Sequence, residues 1–443
     1  MKNIEFSDIE ITGGYWKTKQ EINSRATLMS VYGRFKETHR FDALRCEQKE
    51  GDTYLPHIFW DSDVAKWLEG AAYILNFKDD ETVTAIIENA IDCIIENSDE
   101  NGYFNSHFLV TEQNNRFRNR SCHELYCAGH LIEAAVAYYE ITGKDRFLKA
   151  MCKFADYIER VFRIEKSAAF TTPGHPELEL ALMRLYKATG EKRYADLAKY
   201  FIDEHGKHSE EKNYIACFNE YYNQDDVPIK DRETAEGHCV RALYLMCGAA
   251  DVAQEYGDKE LRSACERFFD NIVHKRMYIT GGVGSSYIGE AFTVDYDLPN
   301  KTAYAETCAA IALAMFSSRM LKFGADSKYA DIVERTIYNG VMSGVSLDGK
   351  SFFYENPLEI DPDFNNINTS TKQKEHFPIT QRLEVFGCSC CPPNILRFVA
   401  SVAGFLYGFD EDTVYVHQYM DSKAQTDSIR ITQKTEYPKN GRI

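Results

Sequence analysis

The sequence lacks any excess of positive charge. Acidic residues outnumber basic ones by 68 to 51, for a formal net charge of −17. A chain this acidic offers no electrostatic footprint for nucleic acid or for an anionic membrane surface. Long apolar runs are missing too, and nothing approaches the roughly 20 residues that span a bilayer. The opening "MKNIEFSDIEITGGYW" holds no apolar signal-peptide core. These absences lead us to expect a cytoplasmic protein with reduced thiols. The glycines of "GGVGSSYIGE" have no Gly-Lys-Ser/Thr ending, which removes a phosphate loop. The adjacent Cys390 and Cys391, taken with Glu306-x-Cys308, are not spaced as the familiar Cys-x-x-Cys zinc pair.

What is present is a chain of 443 residues, 44% hydrophobic and 27% charged, enough for one large core or two to three ordinary ones. Aromatic residues reach 13%; they suit core packing first and sugar-facing surfaces second. Of 13 cysteines, nine (Cys46, Cys93, Cys122, Cys127, Cys152, Cys217, Cys239, Cys247 and Cys265) are scattered and read as small buried hydrophobes. The other four are Cys308 and the crowded Cys388, Cys390 and Cys391 of "FGCSCCPPNIL".

Beyond about residue 60 one unit recurs: a helix apolar nearly all round, a short polar turn, then an amphipathic helix. "HELYCAGHLIEAAVAYYEITGKDRFLKAMCKFADYIERVF" shows it, with Gly143 where a left-handed cap is wanted. Further copies surround Gly190, Gly257, Gly324 and the turn at 76–79. A sixth apolar helix is "NILRFVASVAGFLYGF", and the amphipathic helix at 15–35 is left to pair with it. Inner helices start near 64, 124, 176, 238, 305 and 393. Six buried helices with six amphipathic ones predict an all-α fold, a closed (α/α)6 barrel over 1–410, because an open array leaves apolar faces uncovered at both ends. An open superhelix is the alternative. The interval 345–387 reads as short strands and loops over one rim. From 411 to 443 the pattern alternates, as in "TVYVHQYM", and predicts the first strands of a truncated β-sandwich.

Reactive residues gather where the inner helices begin. Asp61 and Asp63 precede the first, His123 the second, His175 the third and His238 the fourth; Glu306 and Cys308 open the fifth, Cys390 and Cys391 the sixth. Parallel inner helices put all of these at one mouth. Helix N-termini carry partial positive charge and ease thiolate formation. Three thiolates and a carboxylate suit Zn²⁺ better than an iron–sulfur cluster, which usually takes four cysteines. Glu290 lies in the loop feeding the fifth helix. An acid beside an activated nucleophile is what retaining glycoside hydrolysis needs.

The stretches "GEAFTVDYDLPN", "YAETCA" and "GCSCCPPN", in that order on a double ring of helices, resemble glycoside hydrolase family 127. "FWDSDVAKWLE", "PGHPELELALMRLY" and "GHCVRALYL" are in the same style, so the likeness covers essentially residues 1–443. Known members include β-L-arabinofuranosidases that use a zinc-bound cysteine. The resemblance implies Glu306, Cys308, Cys390 and Cys391 as ligands of Zn²⁺, Cys390 as nucleophile and Glu290 as general acid/base. It implies that His123, His175 and His238 contact the sugar and that Tyr354 stands beside the catalytic pair. Asp61 and Asp63 join the sugar-binding candidates from rim position alone. The implied activity is retaining release of a non-reducing-end sugar, β-L-arabinofuranose foremost, from a small oligosaccharide or glycoconjugate, with a homodimer left open. Family members continue through one or two β-sandwich domains, whereas this chain stops at Ile443.

Two other readings stay open on the residues alone. Metal-free sugar epimerases and unsaturated glucuronyl hydrolases use the same ring, and stoichiometric zinc would separate them. A non-catalytic sugar-binding protein with structural zinc is the other, and Glu290 argues against it, since a structural site has no use for an acid aimed at it.

Overall fold

This computed structural model describes residues 1–207, 221–360 and 380–443, and among them thirteen α-helices of nine or more residues build the barrel. Cys217 and the middle of the 345–387 interval lie outside the described residues. In chain order the helices are α1 (Gly14–Ile22), α2 (Leu28–Glu37), α3 (Trp60–Leu75), α4 (Glu81–Asn97), α5 (Glu124–Thr142), α6 (Arg146–Glu159), α7 (Leu178–Thr189), α8 (Lys192–Glu204), α9 (Cys239–Tyr256), α10 (Lys259–Asn271), α11 (Thr307–Leu321), α12 (Ser327–Arg335) and α13 (Cys391–Ala400).

The helices that are apolar on every side form the inner ring. In α5 every residue from Glu124 to Tyr138 is buried, and in α9 every residue from Cys239 to Ala253. Outer helices bury only a stripe: α6 hides Phe147, Leu148, Met151, Phe154, Ala155 and Ile158 and leaves its polar residues on the far face. Neighbours in the inner ring pack in the order α3, α5, α7, α9, α11, α13, and α13 packs back on α3. The ring is closed, which settles the architecture against an open superhelix. Gly70 shows how tightly it closes: a side chain there would place Cβ 2.8 Å from Leu396 Cγ and 3.0 Å from the Arg397 nitrogen.

The turns follow the glycine pattern in part. Gly143, Gly190 and Gly257 cap α5, α7 and α9 in the left-handed conformation, with φ of 72°, 74° and 63°. Gly324 does not: α11 stops at Leu321, and Gly324 donates to the Leu321 carbonyl in a tighter turn.

Six short strands make two three-stranded sheets. One has the order β1 (Lys2–Asn3), β3 (Tyr407–Phe409), β4 (Val414–Val416); the other β2 (Ile9–Ile11), β5 (Ser422–Gln425), β6 (Arg430–Gln433). All pairings are antiparallel. The alternating residues after 411 are therefore tied to the start of the chain, and a division at 410 falls between two strands that pair. On the rim, Phe352 makes single bridges to Val345 and Leu383.

The opposite end of the ring gathers charge. Arg397 meets Glu69 at 2.7 Å, Arg184 meets Glu69 at 3.3 Å and Glu133 at 3.4 Å, and Arg319 meets Asp251 at 2.7 Å. These cations sit near the C-terminal ends of inner helices, where the helix dipole is negative. Together with Asn3, Ile4, Glu5 and Phe6 they line a cavity of ≈ 290 Å³.

Candidate active site

The crowded cysteines stand at the start of α13. Pro392 and Pro393 occupy its first turn, where a missing N–H loses no helical bond. Cys390 is the residue before the helix and Cys391 its first, so consecutive thiols straddle the helix end. Across the ring joint, Glu306 caps α11 and Cys308 is its second residue. Thr307 between them is held by the rim: its N–H donates to Tyr354 O and its hydroxyl to Phe353 O, each at 2.9 Å. Anchoring the rim in this way brings Tyr354 over the sulfurs.

The ligand atoms of Glu306, Cys308, Cys390 and Cys391 all lie within 4.8 Å of one another. Sulfur–sulfur separations are 3.3 Å for Cys308 and Cys391, 3.5 Å for Cys308 and Cys390, and 3.8 Å for Cys390 and Cys391. Glu306 Oε1 is 3.5 Å from Cys390 Sγ and 3.7 Å from Cys391 Sγ. A tetrahedron with ordinary zinc–sulfur and zinc–oxygen bonds has S···S edges of about 3.8 Å and S···O edges of about 3.5 Å. The residues fit such an ion. Glu306 Oε2 is buried and accepts from no N–H or hydroxyl among the described residues, which leaves the carboxylate for a cation to neutralise.

Electrostatics agree. Burial pushes the Cys391 thiol well up. Burial, then the charges of Cys390 and Glu290, do the same to the Glu306 carboxyl. Burial opposes ionisation of Cys308 as well, but hydrogen bonds from Cys390, Cys391 and Asn394 draw it down to about 6. Four acids at this spacing cannot all ionise without a cation between them.

Glu290 arrives on a strained turn. Gly289 and Glu290 both have positive φ, 71° and 51°, and Ser286 and Ala291 close the turn through paired backbone bonds. Glu290 Oε2 is 3.0 Å from His238 Nε2. Burial pushes the Glu290 carboxyl up, but hydrogen bonds from His238, Glu306 and Tyr304 outweigh it and hold the group below the ordinary carboxylate range.

Three histidines line up beside it, with ring centres 5.9 Å apart for His123 and His175 and 5.6 Å for His175 and His238. His123 Nδ1 donates to Ser121 O at 2.7 Å and His175 Nδ1 to Pro176 O at 3.0 Å, so each keeps Nε2 as an acceptor. Burial drives His123 down to about 3 and His175 well below its usual range, which keeps both neutral.

Tyr354 places its hydroxyl 3.2 Å from Cys390 Sγ and 3.8 Å from Cys388 Sγ. Asp61 and Asp63 differ from this group in their bonding. Asp61 accepts from the Ser106 N–H at 2.7 Å and the Ser106 hydroxyl at 2.6 Å, and Asp63 pairs with Arg40 at 2.9 Å. Both are buried with their carboxylates engaged inside the protein, which favours a structural role over sugar binding.

Sequence reading overlooked three neighbours. Arg40 joins Asp63 to the Phe386 and Gly387 carbonyls and so anchors the loop entering the cysteine motif. Tyr126 lies 4.2 Å from the His175 ring, one turn after His123 on α5. Tyr304 bonds Glu290 and sits two residues before Glu306, inside "YAETCA". Its place in that motif was the available signal; Arg40 had none.

The family described as "Beta-L-arabinofuranosidase, GH127 catalytic domain" matches residues 8–404. The chain belongs to glycoside hydrolase family 127. A family relative from Bifidobacterium longum subsp. longum, a non-reducing end β-L-arabinofuranosidase, is 38% identical over 413 residues, covering 88% of this chain. The chain spans 62% of that relative's length. The crystal structure of a family 127 β-L-arabinofuranosidase from Geobacillus stearothermophilus superposes with a TM-score of 0.90 at 40% identity, covering 97% of this chain and 71% of that one. A second family 127 β-arabinofuranosidase structure gives 0.88 at 35% identity, covering 99% and 68%. Among the described residues of this family 127 chain, no helix is long and apolar enough to cross a membrane.

Proposed function

We propose that this chain carries the catalytic centre of a retaining glycosidase that releases a non-reducing-end sugar, β-L-arabinofuranose foremost, from an oligosaccharide or glycoconjugate. The observation that carries the reading is the Glu306–Cys308–Cys390–Cys391 cluster at tetrahedral spacing, with the His238-bound Glu290 against Glu306. Zn²⁺, when bound by those four residues, supplies the positive charge that keeps Cys390 a thiolate at neutral pH and eases its later departure.

The chain's own residues do the rest. His123 and His175, neutral with Nε2 as acceptor, receive hydroxyl protons of the sugar and orient it. The Cys390 sulfur forms a bond to the anomeric carbon as the glycosidic C–O bond breaks. Glu290 must carry a proton for this step, although its bonds to His238, Glu306 and Tyr304 favour the carboxylate in the free site, and it gives that proton to the departing oxygen. Glu290, now a carboxylate, takes a proton from water, whose oxygen bonds the anomeric carbon as the C–S bond breaks. Two displacements retain the anomeric configuration. The Tyr354 hydroxyl, 3.2 Å from Cys390 Sγ, donates to the sulfur and holds its direction.

The test is a panel of nitrophenyl glycosides, β-L-arabinofuranoside among them, assayed with and without a zinc chelator, with product configuration read by NMR. One zinc per chain, chelator-sensitive hydrolysis and retained configuration are expected. Cys390→Ser should leave turnover below about one ten-thousandth of wild type while zinc binding persists in weakened form. Full activity in zinc-free protein, or in the serine variant, would overturn the assignment.

A further inference from the structure

His238 is one of three histidines at the mouth, yet its bonding differs from the other two. His123 and His175 donate from Nδ1 to carbonyls. His238 does the reverse. It stands immediately before α9, and its Nδ1 faces the Val240 N–H at 3.2 Å and the Arg241 N–H at 3.5 Å. Backbone N–H groups only donate, so Nδ1 is an acceptor and the ring proton resides on Nε2. That N–H points at Glu290 Oε2, 3.0 Å away.

The backbone is built to make this meeting. Ala291 bridges both His238 and Ser286, and the Phe292 N–H donates to Gly237 O at 2.9 Å, which lays the Glu290 turn along the chain entering α9. Gly237 has φ of 70°, and a side chain there would place Cβ 1.8 Å from Tyr221 O. A glycine immediately before the histidine is thus required for the approach.

We propose that His238 is the positioning residue of Glu290: a neutral imidazole whose proton is fixed on Nε2 by the start of α9, and which uses it to aim the Glu290 carboxyl at the leaving oxygen rather than to bind a sugar hydroxyl. This rests on the reading of Glu290 as the acid/base. It also argues against a second metal site at His238, Glu290 and Glu306, whose ligand atoms lie within 4.8 Å of one another. Ligation through Nε2 requires that nitrogen to shed its proton while Nδ1 still faces helix N–H groups, leaving no proton on either nitrogen.

The two ends of the ring can be separated by substitution. Asn at 238 keeps an acceptor where Nδ1 stands, and is a good helix cap, but does not reach Glu290. Gln at 238 extends an N–H donor toward the place of Nε2 and gives up the cap. The readout is kcat/KM across β-L-arabinofuranosides whose leaving groups run from dinitrophenol to methanol, since a misplaced acid matters only where the departing oxygen needs a proton. His238→Asn should melt within about 3 °C of wild type. It should lose about 100-fold on the methyl glycoside but under about 5-fold on the dinitrophenyl one. His238→Gln should melt lower and restore much of the methyl-glycoside rate. An equal loss on every leaving group with raised KM would overturn the proposal in favour of a sugar contact. Activity that merely follows melting temperature in both variants would reduce His238 to a helix cap and also overturn it. Glu290→Gln is the separate control. If that variant does not itself steepen the leaving-group dependence, the acid/base reading fails, whatever His238 does.

Discussion

Asp61 is a carboxyl folded into the protein at the start of α3, met by both donors of Ser106. Burial pushes its pKa up to about 6 in spite of those bonds. A carboxyl raised on folding binds its proton more tightly in the folded state, so its contribution is present below about pH 4 and is lost as pH rises through about 6. Asp61→Asn, neutral throughout, should therefore gain on wild type by ~3 kcal/mol between pH 4 and 7.5 in urea unfolding. At this scale the metal-type cluster was legible because thiols and a carboxylate at two helix starts have few structural explanations. Asp61 and Asp63 became sugar-binding candidates from rim position, and a sequence shows where a carboxylate sits but not that Ser106 or Arg40 bonds it. Arg40 was invisible for the same reason: its partners at Asp63, Phe386 and Gly387 are distant in sequence.

The helices themselves were read from apolar periodicity, and the inner-outer distinction followed from whether one face or all faces were apolar. Fine structure inside them was not. The π-helical turns at Asn23–Thr27, Arg160–Ile164, Ile272–Arg276 and Thr336–Val341 recur where outer helices end. Such a widened turn depends on what packs against it, and local propensity carries no trace of it. Glycine turns were read well where the helix ends in the left-handed conformation and missed at Gly324, where it does not. Gly143→Ala, Gly190→Ala and Gly257→Ala meet no atom within 4 Å, so each should cost about 1 kcal/mol of strain alone in chemical denaturation. Gly237→Ala adds a collision with the Tyr221 carbonyl and should cost well above that, with loss of activity as the Glu290 turn shifts.

For the whole molecule, charge at the far end and ligation at the near end both bear on ring closure. Asp251 alone faces Arg319, Lys187 and Lys322, and those three cations hold its carboxyl well below the ordinary range against the effect of burial. Asp251→Asn removes the shared counter-charge of the partly buried Arg319 and Lys322 and should destabilise by about 1.5–3 kcal/mol, measured by urea unfolding at pH 7. Zinc held as proposed by Glu306, Cys308, Cys390 and Cys391 would join neighbouring inner helices α11 and α13, so a chelator should lower the melting temperature and added zinc restore it. Free metal 100-fold above its dissociation constant is worth about 2.7 kcal/mol. The closed ring was anticipated from repeat count and uncovered faces. The pairing of the first residues with the last strands was not, because β1 and β2 are too short to signal a strand.

That pairing has a consequence for synthesis. Lys2 and Asn3 meet Phe409 and Gly408, and Ile9–Ile11 meet Ser422–Ala424, partners that leave the ribosome some four hundred residues later. The earlier segment must wait, unpaired, until the barrel between it and its partners has emerged. Final assembly therefore closes a loop of some four hundred residues, a slow step during which the unpaired strand edges of the seam are open to joining another copy's.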